Sequence, residues 1–211
     1  MSELLIRSIT GLVMVVVALG VVVKGGMYLA GFAGLIGALL FFEWLRLVRG
    51  WSVWWKLGGM VYALAPAVAL LWLRGLPQDG IAIVMWTFVV TWSTDIGAYF
   101  AGRNLGRRKL APAISPNKTV EGLIGGVIAA ALLGAIWVVA TGLEQKLLLV
   151  LAPFFAVMAQ MGDLFESWMK RRAGVKDSGA WLPGHGGVLD RLDGFVPVVT
   201  ATALLQIAHL L

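Results

Sequence analysis

The sequence predicts an all-α, polytopic membrane bundle of about seven transmembrane helices forming a single domain, residues 1–211. Three observations carry that expectation. Of the 211 residues, 60% are hydrophobic and only 13% charged, with a mean hydropathy of +0.88; a soluble domain carries about a quarter charged residues. Apolar runs of roughly 17–23 residues recur, each long enough to cross a ~30 Å hydrocarbon layer. Lysine and arginine gather in every second connection between those runs. There is no cysteine, which excludes disulfide, zinc-thiolate and thiol-nucleophile chemistry.

The expected spans are 4–23, 27–45, 57–73, 81–101, 119–141, 147–169 and 194–211. The first places Arg7 before an apolar run, as a secretory signal would. It has no small-x-small site before Lys24 and a second span follows almost at once, so it is expected to be retained. The N-terminal segment and loops 46–56, 102–118 and 170–193 together hold fourteen lysines and arginines; the opposite side holds three, Lys24, Arg74 and Lys146. By the positive-inside rule the fourteen face the cytoplasm, giving an N-in, C-out chain. Gly31, Gly34 and Gly37, then Gly122, Gly125 and Gly126, have the small-residue spacing of close helix packing. Trp44, Trp51, Trp54 and Trp55 flank loop 46–56 as an interfacial belt.

Two blocks, 95–122 and 162–193, carry groups that can do chemistry. The second holds five of the eleven acidic residues: Asp163, Glu166, Asp177, Asp190 and Asp193. Ionisable groups packed this densely beside membrane segments are costly unless something uses them. Asp95 lies inside the fourth span and needs a polar cavity or an ion pair with an arginine such as Arg103. Ser115-Pro116 fits an N-cap followed by proline at the first position of the fifth span, with Lys118 in its first turn as an anion site. Glu121 then favours the helix dipole.

Asp163, Ser167, Lys170 and Arg171 share one face of the sixth span by their spacing of 0, 4, 7 and 8 residues. A carboxylate and a hydroxyl are hard oxygen ligands that suit Mg²⁺, although the same spacing also fits an ion-pair ladder. Lys176-Asp177 precedes the turn of Gly184, His185, Gly186 and Gly187, whose backbone amides can cradle phosphate oxygens. Asp190 and Asp193 would lie on one face of the helix that opens the last span, beside Arg191. Carboxylates at 95, 163, 190 and 193 among many cations suit phosphoryl or nucleotidyl transfer, which needs little covalent chemistry from the protein. His209 is read as structural.

Residues 167–193, read as S-W-M-K-R-x4-K-D-x-G-x2-L-P-G-H-G-G-V-x-D-R-L-D, resemble the phosphatidate cytidylyltransferase (CDP-diacylglycerol synthase) family. Residues 95–122, D-I-G-A-Y-F-A-G-R…L-A-P-x-I-S-P-N-K-T-V-E-G, are also similar to it, with weaker echoes at 7–11 and 42–47. The resemblance implies CTP + phosphatidate → CDP-diacylglycerol + pyrophosphate at the inner face of a bacterial-type membrane, dependent on Mg²⁺. It implies that Asp163 and Asp190 hold metal, with Ser167 near a second, monovalent cation, and that Lys170, Arg171, Lys176, His185 and Arg191 face nucleotide or lipid phosphates. Asp95, Arg103, Ser115, Lys118, Asp177, Gly184, Gly186, Gly187 and Asp193 complete the expected substrate-binding set. The expected partners are CTP, phosphatidate and membrane lipid, without nucleic acid, and a second copy of the chain in a homodimer. The chain is shorter than typical bacterial members, the difference falling between Leu47 and Trp92. A CTP-dependent lipid kinase of the polyprenol type and an anion transporter are the competing readings. Motif fidelity favours the first over the kinase, and charges confined to one side disfavour transport.

Overall fold

The computed structural model describes residues 3–211, in which six long helices, two short ones and a small hairpin follow one another. The long helices are α1 (Glu3–Lys24), α2 (Gly26–Leu47), α3 (Val53–Arg74), α4 (Gly80–Leu105), α5 (Val120–Thr141) and α6 (Leu147–Arg172). A two-stranded antiparallel hairpin, β1 (Lys109–Ala111) and β2 (Ser115–Thr119), separates α4 from α5. The short helices are α7 (Leu189–Leu192) and α8 (Phe195–Ile207). All six long helices are long and apolar enough to cross a membrane, and the chain is a multi-pass membrane protein.

The last expected span departs from this pattern. Residues 194–211 supply only the 13 helical residues of α8, which rise about 20 Å at 1.5 Å per residue and fall short of a ~30 Å layer. Phe195, Val196, Val198, Val199, Thr202 and Ala203 of α8 are buried. An apolar helix of this length that is buried by its neighbours is a core element, and α8 packs against α3, α4 and α6. The aspartates expected on one face of its entry lie three residues apart at the α7–α8 junction: Asp190 in α7, and Asp193 as its C-cap with helical backbone, whose Oδ1 accepts from the Gly194 amide at 2.8 Å.

Helices α4 and α5 approach most closely, because glycine and alanine line the seam. A Cβ added at Gly97 would lie 2.7 Å from the Gly125 carbonyl oxygen, and one at Gly126 2.7 Å from the Thr94 carbonyl oxygen. Gly122 and Gly125 are equally enclosed, by Gly102 and Ala101 respectively. These glycines pack as their spacing predicts. In α2 only Gly37 does so, 3.3 Å from the Ala63 carbonyl, while Gly31 and Gly34 face open space.

The loops of one end of the bundle converge. The Arg172 guanidinium stands 4.5 Å from the Trp51 ring centre, and Arg171 Nε donates to the Ile114 carbonyl at 3.2 Å. Trp51, Trp55 and Trp168 stack edge-on or tilted within 6 Å of one another. Trp44 is no belt residue: it is 3% exposed and its Nε1 donates to the Trp55 carbonyl at 2.7 Å. Gly97→Leu is expected to overfill the α4–α5 seam, destabilising the fold by about 1–3 kcal/mol. A lowered unfolding temperature of the detergent-solubilised protein checks it, with Gly34→Leu, into open space, as the neutral comparison.

Candidate active site

The hairpin replaces the expected N-cap. Ser115 and Pro116 lie in β2, and α5 starts only at Val120, capped by Thr119, whose Oγ1 accepts from the Gly122 amide at 3.0 Å. Lys118 is therefore a strand residue held two residues before the helix. Glu121 does more than complement the dipole: its Oε2 accepts from the amides of Arg107 and Arg108, at 3.0 and 3.2 Å, and its Oε1 meets Arg108 Nε at 3.3 Å. That carboxylate ties the end of the α4–β1 connection to the start of α5.

Fixing the hairpin sets Lys118 against α6. Its Nζ lies 2.6 Å from Asp163 Oδ2 and 2.7 Å from Gln160 Oε1. Gln160 Nε2 reaches Asp95 Oδ1 at 3.4 Å, and Ser167 Oγ donates to Asp163 Oδ1 at 3.3 Å. Asp95, Gln160, Lys118, Asp163 and Ser167 thus form one polar chain between α4, β2 and α6. Asp95 is exposed and meets Gln160 and not the arginine: Arg103 instead donates to the Tyr99 hydroxyl at 2.7 Å on the exposed surface. Asp193 completes the group. Burial first, then the Asp163 charge, push its carboxyl up to about 7, with Asp95 adding to the same effect.

A second cluster adjoins it. Lys170 Nζ bridges Glu166 Oε2 at 2.7 Å and Asp190 Oδ1 at 2.6 Å. Asp190 Oδ2 accepts from the amides of Ser178 and Gly187, at 3.0 and 2.8 Å. Burial, the largest influence on Asp190, would raise its carboxyl; hydrogen bonds from Glu166 and Lys170 and from the Gly187 amide outweigh it and hold the group below its ordinary range. The sequence reading gave no role to Glu166, Gln160 or Glu43. Glu43, on α2, is wholly buried and accepts from Ser178 Oγ at 3.0 Å, the Val188 amide at 3.0 Å and the Leu189 amide at 2.7 Å. Gly179 and Gly187 lack side chains because a Cβ on either would run into that carboxylate. The sequence signals for Glu43 were a glutamate inside an apolar span and its place in the 42–47 echo.

The glycine-rich turn is accordingly shaped by protein carboxylates. The amides of Gly187, Val188 and Leu189 point at Asp190 and Glu43. Gly184 and Gly186 have φ of 75° and 83°, the left-handed region that glycine adopts without strain. Arg191 Nε donates to the His185 carbonyl at 3.0 Å, and His185 Nδ1 stands 3.4 Å from the Pro183 carbonyl. Lys176, Asp177, Arg171 and Arg191 are exposed. Among the described residues no three acidic or histidine side chains form a closed metal cage.

A family model described as the cytidylyltransferase family matches residues 49–208. A phosphatidate cytidylyltransferase of Brucella suis is 39% identical over 98% of this chain and 93% of its own length. One from Bacillus subtilis is 50% identical over 60% of this chain and 48% of its own. The chain belongs to the cytidylyltransferase family. The Brucella alignment runs over 258 positions against 211 residues here, so that relative carries segments this cytidylyltransferase lacks.

Two outcomes are expected from this geometry. Glu43→Gln offers one acceptor oxygen, and an amide in place of the other, to three buried donors. It should lower stability by about 1.5–3 kcal/mol, the worth of a hydrogen bond to a charged group, and make loop 175–188 more sensitive to limited proteolysis. For Asp193, the folded pKa of about 7 exceeds the ordinary 3.8, so the folded state holds the proton that the unfolded chain releases. Stability of the metal-free protein should fall as pH rises between those values, and Asp193→Asn should flatten that slope in thermal unfolding.

Proposed function

We propose that this cytidylyltransferase makes CDP-diacylglycerol and pyrophosphate from CTP and phosphatidate at the cytoplasmic membrane face, as a step of phospholipid synthesis. Similarity across 98% of the chain to an enzyme of that name carries the reading. The fourteen cations on one side of the bundle, including those of the site loops, support the cytoplasmic orientation. The relatives' bacterial sources support a bacterial inner membrane.

The reaction joins a phosphatidate phosphate oxygen to the α-phosphorus of CTP while the bond from that phosphorus to the bridging oxygen of the β-phosphate breaks. Pyrophosphate leaves with the electron pair. The attacking phosphate is already ionised at neutral pH, so no side chain has to remove a proton. The protein's task is to orient two polyanions and to neutralise their repulsion. Lys118, Lys170, Arg171, Lys176 and Arg191 supply cations around these carboxylates, and His185 a further donor.

The carboxylates fit a hard divalent cation. A closed cage is not needed, because Mg²⁺ uses one or two carboxylates plus substrate phosphates and water. Asp163 and Ser167 would hold it. Asp190 Oδ1 meets Lys170 with one lone pair and retains another for a cation. Bound Mg²⁺ would supply charge neutralisation on the triphosphate. A monovalent cation near Ser167 and a homodimer belong to the same proposal.

Detergent-solubilised protein given CTP labelled at the α-phosphate, Mg²⁺ and phosphatidate should place the label in lipid. Label found only in CDP would establish a lipid kinase instead. Asp163→Asn should reduce turnover by at least about 100-fold, the scale on which one charge-stabilising group acts, without lowering the unfolding temperature. Full Mg²⁺-dependent turnover in that variant would remove Asp163 from the metal site.

A further inference from the structure

Lys118 stands where a cation would bind. Its ammonium lies 2.6 Å from Asp163 Oδ2, while Asp163 Oδ1 accepts from Ser167 at 3.3 Å. Both oxygens of the proposed metal ligand therefore already have partners. The lysine's main chain is fixed: its neighbour Thr119 pairs with Lys109 in the hairpin and caps α5. Its side chain is not fixed in the same way, since four rotatable bonds separate that anchored backbone from the ammonium. The group is only 18% exposed, against 30% for Asp163, so the open side of the pair is the carboxylate's.

Gln160 makes the arrangement directional. It is 4% exposed and gives its carbonyl to Lys118 and its amide to Asp95. A glutamine in this position keeps the lysine and the second carboxylate in register without adding charge. Asp95 is thereby linked to Asp163 through Gln160 and Lys118. A divalent cation arriving at Asp163 would meet the ammonium within one carboxylate's width, and like charges at that separation repel strongly.

We propose that Lys118 is a positioning residue that competes with the divalent cation for Asp163 and moves to a phosphate of the nucleotide when the cation takes its place. The inference rests on the reading of Asp163 as a metal ligand. Its consequence is coupled entry: the cation displaces the ammonium, and the triphosphate gives the displaced ammonium an acceptor. Cation alone binds weakly, and cation with nucleotide binds well. Gln160 keeps the carbonyl that receives Lys118 again after product leaves.

The test is Mn²⁺ binding to the detergent-solubilised chain without nucleotide, followed by the paramagnetic resonance of free Mn²⁺. Lys118→Met should bind Mn²⁺ about tenfold tighter than wild type, a size ordinary for coupling between sites. Adding Asp163→Asn should abolish the gain, and Lys118→Arg, which keeps the charge, should bind as wild type does. Lys118→Gln replaces the methionine variant should that one not fold. Equal or weaker binding in the uncharged variants, at a site that Asp163→Asn removes, would overturn the competition and leave the metal assignment standing. Absence of any Mn²⁺ site sensitive to Asp163→Asn would overturn both.

Discussion

Glu43 is the constraint on which this end of the bundle depends. A carboxylate with no solvent exposure is tolerable only if its oxygens are satisfied, and here Ser178, Val188 and Leu189 supply the donors. Those donors belong to a loop that follows α6 by several residues and runs into α7. Helix α2 thus holds a segment more than 130 positions away in sequence, and the same loop presents two amides to Asp190. Asp190 in turn fixes Lys170 on α6. One buried charge on α2 therefore places the loop, and the loop places the second carboxylate cluster.

The hairpin plays the matching part on the other side of α6. Pairing of β1 with β2, the Thr119 cap and the Glu121 carboxylate together stop Lys118 at a defined height against Asp163. The site is then made of two neighbouring lysine–carboxylate groups, one from the hairpin and one from α6 itself. Such partly buried pairs add little net stability, because desolvation offsets attraction. In the proposed reaction their role is to arrange charge for a polyanionic substrate pair.

Helix α8 shows why this architecture accommodates a short last element. Phe195, Val196, Val198, Val199 and Ala203 are buried in a helix that packs on α3, α4 and α6, so this short element is held by protein neighbours and not by the full thickness of a hydrocarbon layer. Starting it after Asp193 keeps that carboxylate at the level of Asp163 and Asp95, whose charges it feels.

By itself the sequence determined the all-helical membrane class, six of the seven expected spans, the close packing of Gly122, Gly125 and Gly126, and the two polar blocks, because each is written in local composition and short spacing. Asp163 and Ser167 were legible for the same reason: four residues apart on a helix is a contact. Contacts between distant segments were not. Nothing in Ser115-Pro116 distinguishes a helix cap from a strand until Lys109–Ala111 lies beside it. Nothing in a glycine-rich turn shows whether its amides face a phosphate or the carboxylates of Glu43 and Asp190. Gln160 and Glu43 looked like stray polar residues in apolar helices until the tertiary fold gave them partners. The tertiary structure decided them because satisfying a buried polar group is a matter of which surfaces meet, and local sequence does not encode which surfaces meet.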